Sequence, residues 1–304
     1  MRIELKIPAT SANIGAGFDS LGLAVGMYNR VILEPWEGAE VVSLDGVPVP
    51  AGENNLIYKT AKYLFDICGR PLPGLRIQQE NNIPMARGLG SSSACIVAGL
   101  MGGNRLMGSP LSREDIIHMA ATMEGHPDNS TPAILGGQVT AAIENGRVFY
   151  CRQKLREDLR LMAIIPDFEL KTSAARAALP KEVSRADGVF NLSRAALMAM
   201  SLAGGDYKNL RVAAQDKLHQ PYRLELIPGA RPVMDCALEF GAYCVYISGA
   251  GSTLMAMAGT GNSTFAQRLR CWMDGQGYGG WRLVPLLPDN TGARLTVDGK
   301  EVMV

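Results

Sequence analysis

The chain has 304 residues, 47% apolar and 19% charged, and its 30 basic and 29 acidic side chains leave a formal net charge of +1. That length suits one large domain or two modest ones with a substantial buried core. Near-neutrality, with no block of like charges, argues against nucleic acid or an anionic membrane as the main partner, since both select a basic excess.

Cys68, Cys95, Cys151, Cys236, Cys244 and Cys271 are scattered without a C-x-x-C pair, and three histidines leave too few ligands for a His/Cys metal site. They read as reduced thiols of a cytosolic protein. The opening "MRIELKIPATSAN" alternates like a strand and lacks a signal peptide's apolar stretch. The longest apolar runs, such as "ALMAMSLA" at 196–203, fall short of the roughly 18 residues of a membrane span. A soluble, cytoplasmic protein is expected.

In chain order, strands are predicted at 2–7 and 22–34, the first followed by the polar loop "ATSANIGAGFDS". Leu56, Tyr63, Leu64 and Ile67 repeat at helical spacing over 55–67, and "GLRIQQE" at 74–80 alternates as a half-buried strand does. A helix follows at 92–106, and Ser112 caps another that runs to 124 with Asp115 in its first turn. "GGQVTAAIENGRVFYCR" reads as a hairpin turning at Asn145-Gly146. Beyond residue 160 the pattern gives a strand at "LRLMAIIP", helices at 187–203, 206–217 and 230–240, and strands at "AYCVYISGAG" and "STLMAMAG". A helix at 262–276 and closing strands at 281–287 and 293–304 complete the prediction. Without a regular β-α alternation, the expectation is an α+β fold in two halves, 1–155 and 156–304.

One stretch raises a chemical question. "NNIPMARGLGSSSACIV" at 81–97 sets Pro84, Gly88 and Gly90 before a helix mouth, with three serines at the entrance. Glycine permits backbone angles that other residues resist, and its bare amides can approach a ligand closely. The helix mouth adds unpaired N–H groups and partial positive charge, together an anion cradle. Taken alone, the pattern is usually just a turn with a helix cap. It is no Walker A loop, because no Lys follows the Gly, and no dinucleotide fingerprint, because the third Gly is missing. Neither H-R-D nor D-F-G follows, which sets protein kinases aside.

Three further blocks bear on the choice. "PATSANIGAGFDSLGLAV" at 8–25 places Asn13 and Asp19 on a glycine-rich loop, facing a polar substrate or bonding their own backbone. "MEGHPDNSTPAILGG" at 123–137 gathers Glu124, His126, Asp128 and Asn129 at a helix end, and "ISGAGSTLMAMA" at 247–258 is a glycine-rich turn between apolar strands. In this order and spacing the blocks resemble the GHMP family of small-molecule kinases. Within it "PATSANIGAGFDSLGLAV" and "EGHPDN" are most like the homoserine kinases. The likeness runs from Ile7 to about Thr253. Ala16 and Ser252 stand where that family usually has Pro, and Ser130-Thr131 replaces its small apolar pair.

The resemblance implies a two-domain GHMP kinase fold: an N-terminal half like ribosomal protein S5 domain 2 and a ferredoxin-like C-terminal half. It implies ATP as co-substrate and Mg²⁺ as cofactor for phosphorylating the L-homoserine hydroxyl, on the route to threonine. Pro84, Met85, Ala86, Arg87, Gly88, Leu89, Gly90, Ser91, Ser92, Ser93 and Ala94 would wrap the phosphates, and Asn55 would touch the adenine. Ser91 (or Ser92) and Glu124 are the expected metal ligands, a hard cation preferring oxygen. Arg176 and Arg223, with Thr172 nearby, would fork the substrate carboxylate. Asn13, Asp19, His126, Asp128 and Asn129 would hold the amine and hydroxyl. Glu124, Asp128 and Asn129 form the catalytic set, Asp128 either accepting the hydroxyl proton or pairing the ammonium. Two alternatives stay open: a GHMP kinase for another hydroxylated carboxylate of shikimate or mevalonate type, and a non-catalytic nucleotide binder. The expected partners are small molecules, with a homodimer as a guess.

Overall fold

The amino-terminal alternation builds one long strand, Ile3–Ala12 (β1), which runs straight through the stretch read as the start of a loop. The computed structural model describes residues 1–302. β1 pairs antiparallel with Leu21–Pro35 (β2), whose fifteen residues also pair with Leu75–Asn81 (β4) at one end and Gln138–Glu144 (β5) at the other. Ala39–Ser43 (β3), unforeseen in the sequence, lies parallel to β4. β5 turns back into Arg147–Gln153 (β6) at Asn145-Gly146, both at positive φ as a tight hairpin needs. Helices Leu56–Ile67 (α1), Ser91–Leu106 (α2), Arg113–Glu124 (α3) and Ser130–Leu135 (α4) share the large core with this sheet. Ser112 and Asp115 close the capping box of α3.

The second sheet begins at Leu159–Ile165 (β7) and has the order β10-β7-β9-β8. Between β7 and Cys244–Ile247 (β8) come Thr172–Ala177 (α5), Arg185–Gly204 (α6), Leu210–Ala213 (α7), Gln220–Leu224 (α8) and Ala230–Glu239 (α9). Leu254–Gly259 (β9), Phe265–Gly275 (α10) and Arg282–Leu286 (β10) follow. Numbered within the unit, that order is 4-1-3-2, the ferredoxin-like arrangement. The helix expected over 206–217 is only a 3-10 turn and the four residues of α7.

β7 explains how the sheets are joined. Leu161, Ala163 and Ile165 point into the larger core while Met162 and Ile164 point into the second, so the strand is apolar on both faces. The chain then crosses back. Arg294–Val297 (β11) pairs with β1 and Lys300–Val302 (β12) pairs with β11, so the final strands complete the first sheet. The division at 155/156 separates the start of the two sheets but not this return. Of the closing strand predicted over 293–304, residues 303 and 304 lie outside the described residues.

Candidate active site

The glycine turn is held by its carbonyls. Those of Ala86, Arg87, Gly88 and Leu89 are taken by Leu170 N (2.9 Å), Thr253 N (3.2 Å), Ser248 Oγ (2.6 Å) and Thr10 N (3.1 Å). A trans peptide points its N–H opposite its carbonyl, so the amides of residues 87–90 face the other way. Among the described residues they meet no hydrogen-bond acceptor, and neither do the first amides of α2. They open on a cavity of about 500 Å³ lined by residues 86–93. The two glycines serve packing as much as ligand approach. A Cβ on Gly88 would stand 2.1 Å from Ser248 O, and one on Gly90 2.1 Å from Thr10 Oγ1. Both also hold φ +73°.

Glu124 ends α3 beside this mouth. Its Oε1 accepts from Ser93 Oγ and its Oε2 from Ser130 N at 3.2 Å. Burial pushes its pKa up, opposed by the Ser93 bond and by His126. Ser93 is thus the serine bonded to Glu124, next along α2 from Ser91 and Ser92, which were foreseen as metal ligands. Ser91 lines the same cavity with no hydrogen-bond partner among the described residues, and Ser92 is exposed beside it.

The far end of the cavity is charged and balanced. Arg176, on α5, donates to both oxygens of Asp19 at 2.9 and 3.1 Å. His126 Nδ1 lies 2.6 Å from Asp128 Oδ1. Burial works to lower the His126 pKa, but Asp128, Glu124 and Asp19 outweigh it and hold it above its ordinary value. The ionisable atoms of Asp19, His126 and Asp128 all lie within 4.8 Å of one another. Asn13 supports Asp19, accepting from its N–H at 3.0 Å, and is itself tied to Gly249 O. Asn13 and Asp19 sit at φ +69° and +54°, strained backbone of the kind found at functional sites.

Arg223 is 2% exposed yet lines the cavity. It donates to Gly249 O at 2.9 Å and to His219 Nδ1 at 3.3 Å, leaving Nη2 with no acceptor among the described residues. Burial, then the charge of Arg176, lowers its pKa to about 10. Thr172 is on the rim. Thr10 Oγ1 donates to Asn129 Oδ1 at 2.7 Å, and Asn129 lines the cavity.

Not every foreseen residue reaches this cavity. Asn55 is 2% exposed and caps α1, accepting from Ile57 N while its amide nitrogen donates to Gln79 and Pro50 O. Met85 and Ala94 flank the turn without lining the cavity. Lys171 was missed: it lines the cavity, is exposed, and has no ion-pair partner among the described residues. A lone lysine before a short helix carries no motif that sequence reading can find. Thr10, Ser248 and His219 were missed as supports, because their partners lie far along the chain.

Residues 55–137 match the GHMP kinases N terminal domain, and residues 195–271 match the GHMP kinases C terminal domain. A homoserine kinase of Clostridium beijerinckii is 42% identical over 295 residues, covering 96% of this chain and 98% of that protein. The chain belongs to the homoserine kinase family of GHMP kinases. Another family member, from Caldicellulosiruptor saccharolyticus, is 44% identical with 96% of each chain covered. The crystal structure of homoserine kinase from Cytophaga hutchinsonii has the same fold, with TM-score 0.86, 26% identity and 97% coverage of each chain. In this GHMP kinase the N-terminal match takes in the glycine turn and Glu124 to Asn129. The C-terminal match takes in Arg223 and the turn at 248–253.

Proposed function

We propose that this chain transfers the γ-phosphoryl group of ATP to the side-chain hydroxyl of L-homoserine, giving O-phospho-L-homoserine and ADP on the route to threonine. The observation that supports it most is the union of two unlike ends in one cavity. Unpaired amides fit a triphosphate at one end, and paired acids and arginines fit a zwitterion at the other. Phosphoryl transfer asks mainly for positioning and fixed positive potential, which the turn at 87–90 and the mouth of α2 supply. Arg176 and Arg223 hold the substrate carboxylate. Asp19 and Asp128 flank its ammonium, and Asp128 and Asn129 orient the hydroxyl. Its proton passes to Asp128, or Asp128 serves the ammonium alone; a loose transition state accommodates both.

Mg²⁺ fits the oxygens of Glu124 and Ser91. A carboxylate keeps lone pairs beyond the two used by Ser93 and Ser130, and the Ser91 hydroxyl is unengaged. Held there, the ion would supply positive charge against the phosphates of the nucleotide. We place the nucleotide-binding half at 1–155 and the other at 156–304, amended by the return of β11 and β12 to the first sheet. The reaction is assigned to the cytoplasm, where its ATP is supplied.

The rival kinases for mevalonate or shikimate would bring a carboxylate without an ammonium, leaving Asp19 or Asp128 unmatched. ATP consumption with homoserine, threonine, serine, shikimate and mevalonate tests the assignment. Homoserine should stimulate turnover far above the rest. Turnover with mevalonate or shikimate alone would replace the substrate, and no turnover with any would leave a nucleotide binder.

A further inference from the structure

Arg87, Lys171, Arg176 and Arg223 are the arginines and lysines that line the cavity, and all but Lys171 are engaged. Arg176 holds Asp19, and Arg223 holds Gly249 O and His219. Arg87 belongs to the glycine turn but directs its guanidinium to main-chain carbonyls: Pro166 O at 3.1 Å, Asp167 O at 3.0 Å and Met85 O at 3.2 Å. The Lys171 ammonium has no hydrogen bond or ion pair among the described residues. The turn thus offers a nucleotide its amides but no unengaged side-chain cation. Backbone bonds hold Lys171 close to it. Beyond the two carbonyls that carry Arg87, Phe168 O accepts from Ser252 Oγ at 2.9 Å and Leu170 N donates to Ala86 O at 2.9 Å. Lys171 is the next residue. From there α5 leads to Arg176, about 6 Å of helix rise beyond Thr172. One short element therefore starts at the phosphate turn and ends on Asp19, at the amino-acid end of the cavity.

We propose that Lys171 is a further catalytic residue, its ammonium binding the oxygens of the γ-phosphoryl group as that group passes from ATP to the acceptor hydroxyl. This role rests on the kinase reading above. In the transfer, the bond from the γ-phosphorus to its bridging oxygen breaks, the electron pair leaving on ADP, and a bond to the homoserine oxygen forms. The hydroxyl proton goes to Asp128, or to water where Asp128 serves the ammonium, and Lys171 takes no part in its path. Lys171 supplies charge and N–H donors at the oxygens of the moving group. Main-chain amides are fixed and stay with the nucleotide, whereas a lysine head on a flexible stem can follow the group across. Its contact therefore strengthens toward the transition state, the condition for raising kcat rather than lowering KM.

Lys171→Met should lower kcat for homoserine phosphorylation by about 100-fold, with KM for homoserine within about threefold of wild type. Lys171→Arg should recover to within about tenfold of wild type, because charge and donors return. Lys181→Met, which removes an exposed lysine outside the cavity, should match wild type. The Lys171 side chain is exposed and makes no cap bond, so the melting temperatures of all four chains should agree. A second readout needs no acceptor. In calorimetric titrations with magnesium present, Lys171→Met should weaken ATP by about fivefold and ADP, which lacks the γ-phosphate, by less than about twofold. An unchanged kcat overturns the proposal, and so does an equal loss for ATP and ADP. A raised KM for homoserine at preserved kcat also overturns it, and would give Lys171 to the substrate carboxylate. A wild-type chain that phosphorylates no homoserine would sink the kinase reading instead, and the titrations would still decide whether Lys171 meets the γ-phosphate.

Discussion

Arg176 grips both carboxylate oxygens of Asp19 from 157 positions along the chain, at the end of the cavity where an amino acid would sit. A zwitterionic substrate can replace that pair by two, its carboxylate taking Arg176 and its ammonium taking Asp19. A substrate with a carboxylate alone breaks the pair and leaves Asp19 uncompensated. The exposure of both partners keeps the resting pair itself weak.

Asp19→Asn should therefore raise KM for homoserine by about 10- to 100-fold, the loss of one charge-assisted contact. KM for ATP should change less than about twofold. Steady-state kinetics with each substrate varied in turn checks this. A larger effect on ATP than on homoserine would move Asp19 to the nucleotide end.

Asp128→Asn separates the two duties open to that residue. If Asp128 takes the hydroxyl proton, kcat falls about 100-fold or more with homoserine binding little changed. If it only pairs the ammonium, the loss appears in KM with kcat preserved.

Gly88→Ala should weaken both ATP binding and stability. Its Cβ would collide with Ser248 O at 2.1 Å, and relieving that contact turns the neighbouring carbonyls and amides. The expected destabilisation is about 1–3 kcal/mol. Gly46→Ala is the control, with φ +76° but nothing within 4 Å of the added carbon. Thermal melts and KM for ATP should separate the two; equal behaviour would show that strain in φ, not the close approach, dominates.

Asn55→Ala should lower stability by about 0.5–2 kcal/mol, the cost of a lost helix cap, and leave KM for ATP within about twofold. The buried bonds to Gln79 and Pro50 make the higher figure the expected one. A selective rise in KM for ATP would restore Asn55 to the adenine site.

His219 predicts a pH dependence of stability. Its ring is fully buried, with Nε2 2.7 Å from Gly15 O and Nδ1 facing Arg223. Burial lowers its pKa; Asp216 opposes that and Arg223 reinforces it. The unfolded chain takes up its proton near pH 6.5, while the folded chain resists until lower pH. This contribution is complete above about pH 6.5 and is lost as pH falls through the depressed folded value. Urea midpoints at about pH 7.5 and 5.5 should drop for wild type and drop less for His219→Gln. Equal drops would remove His219 as the cause.

Local chemistry was legible, and long-range support was not. The capping box at Ser112, the Asn145-Gly146 hairpin and the glycine turn at 88–90 each announce themselves within a few residues. The ferredoxin-like order and the grouping of residues at the charged end of the cavity came through family likeness, since the groups that meet there span residues 13 to 223. The donors that hold the turn, Thr10 on β1 and Leu170, Ser248 and Thr253 on loops of the second half, are far apart in the chain, and no spacing rule predicts them. That Ser93 is the serine bonded to Glu124 is a matter of helix phase, set by how α2 and α3 pack. Asn55 stands at a position where capping and ligand contact look alike in sequence, and in the structure it caps α1.

The pairing of Ile3 with Val297 makes manufacture of the first sheet a matter of waiting. On the ribosome the edge of β1 must emerge long before the strand that shields it, which lies nearly the whole length of this sequence further along. Throughout that interval the edge presents an open row of backbone donors and acceptors, a template for stray strands. Nascent chains should lean on a chaperone until β11 has been made and closes the seam.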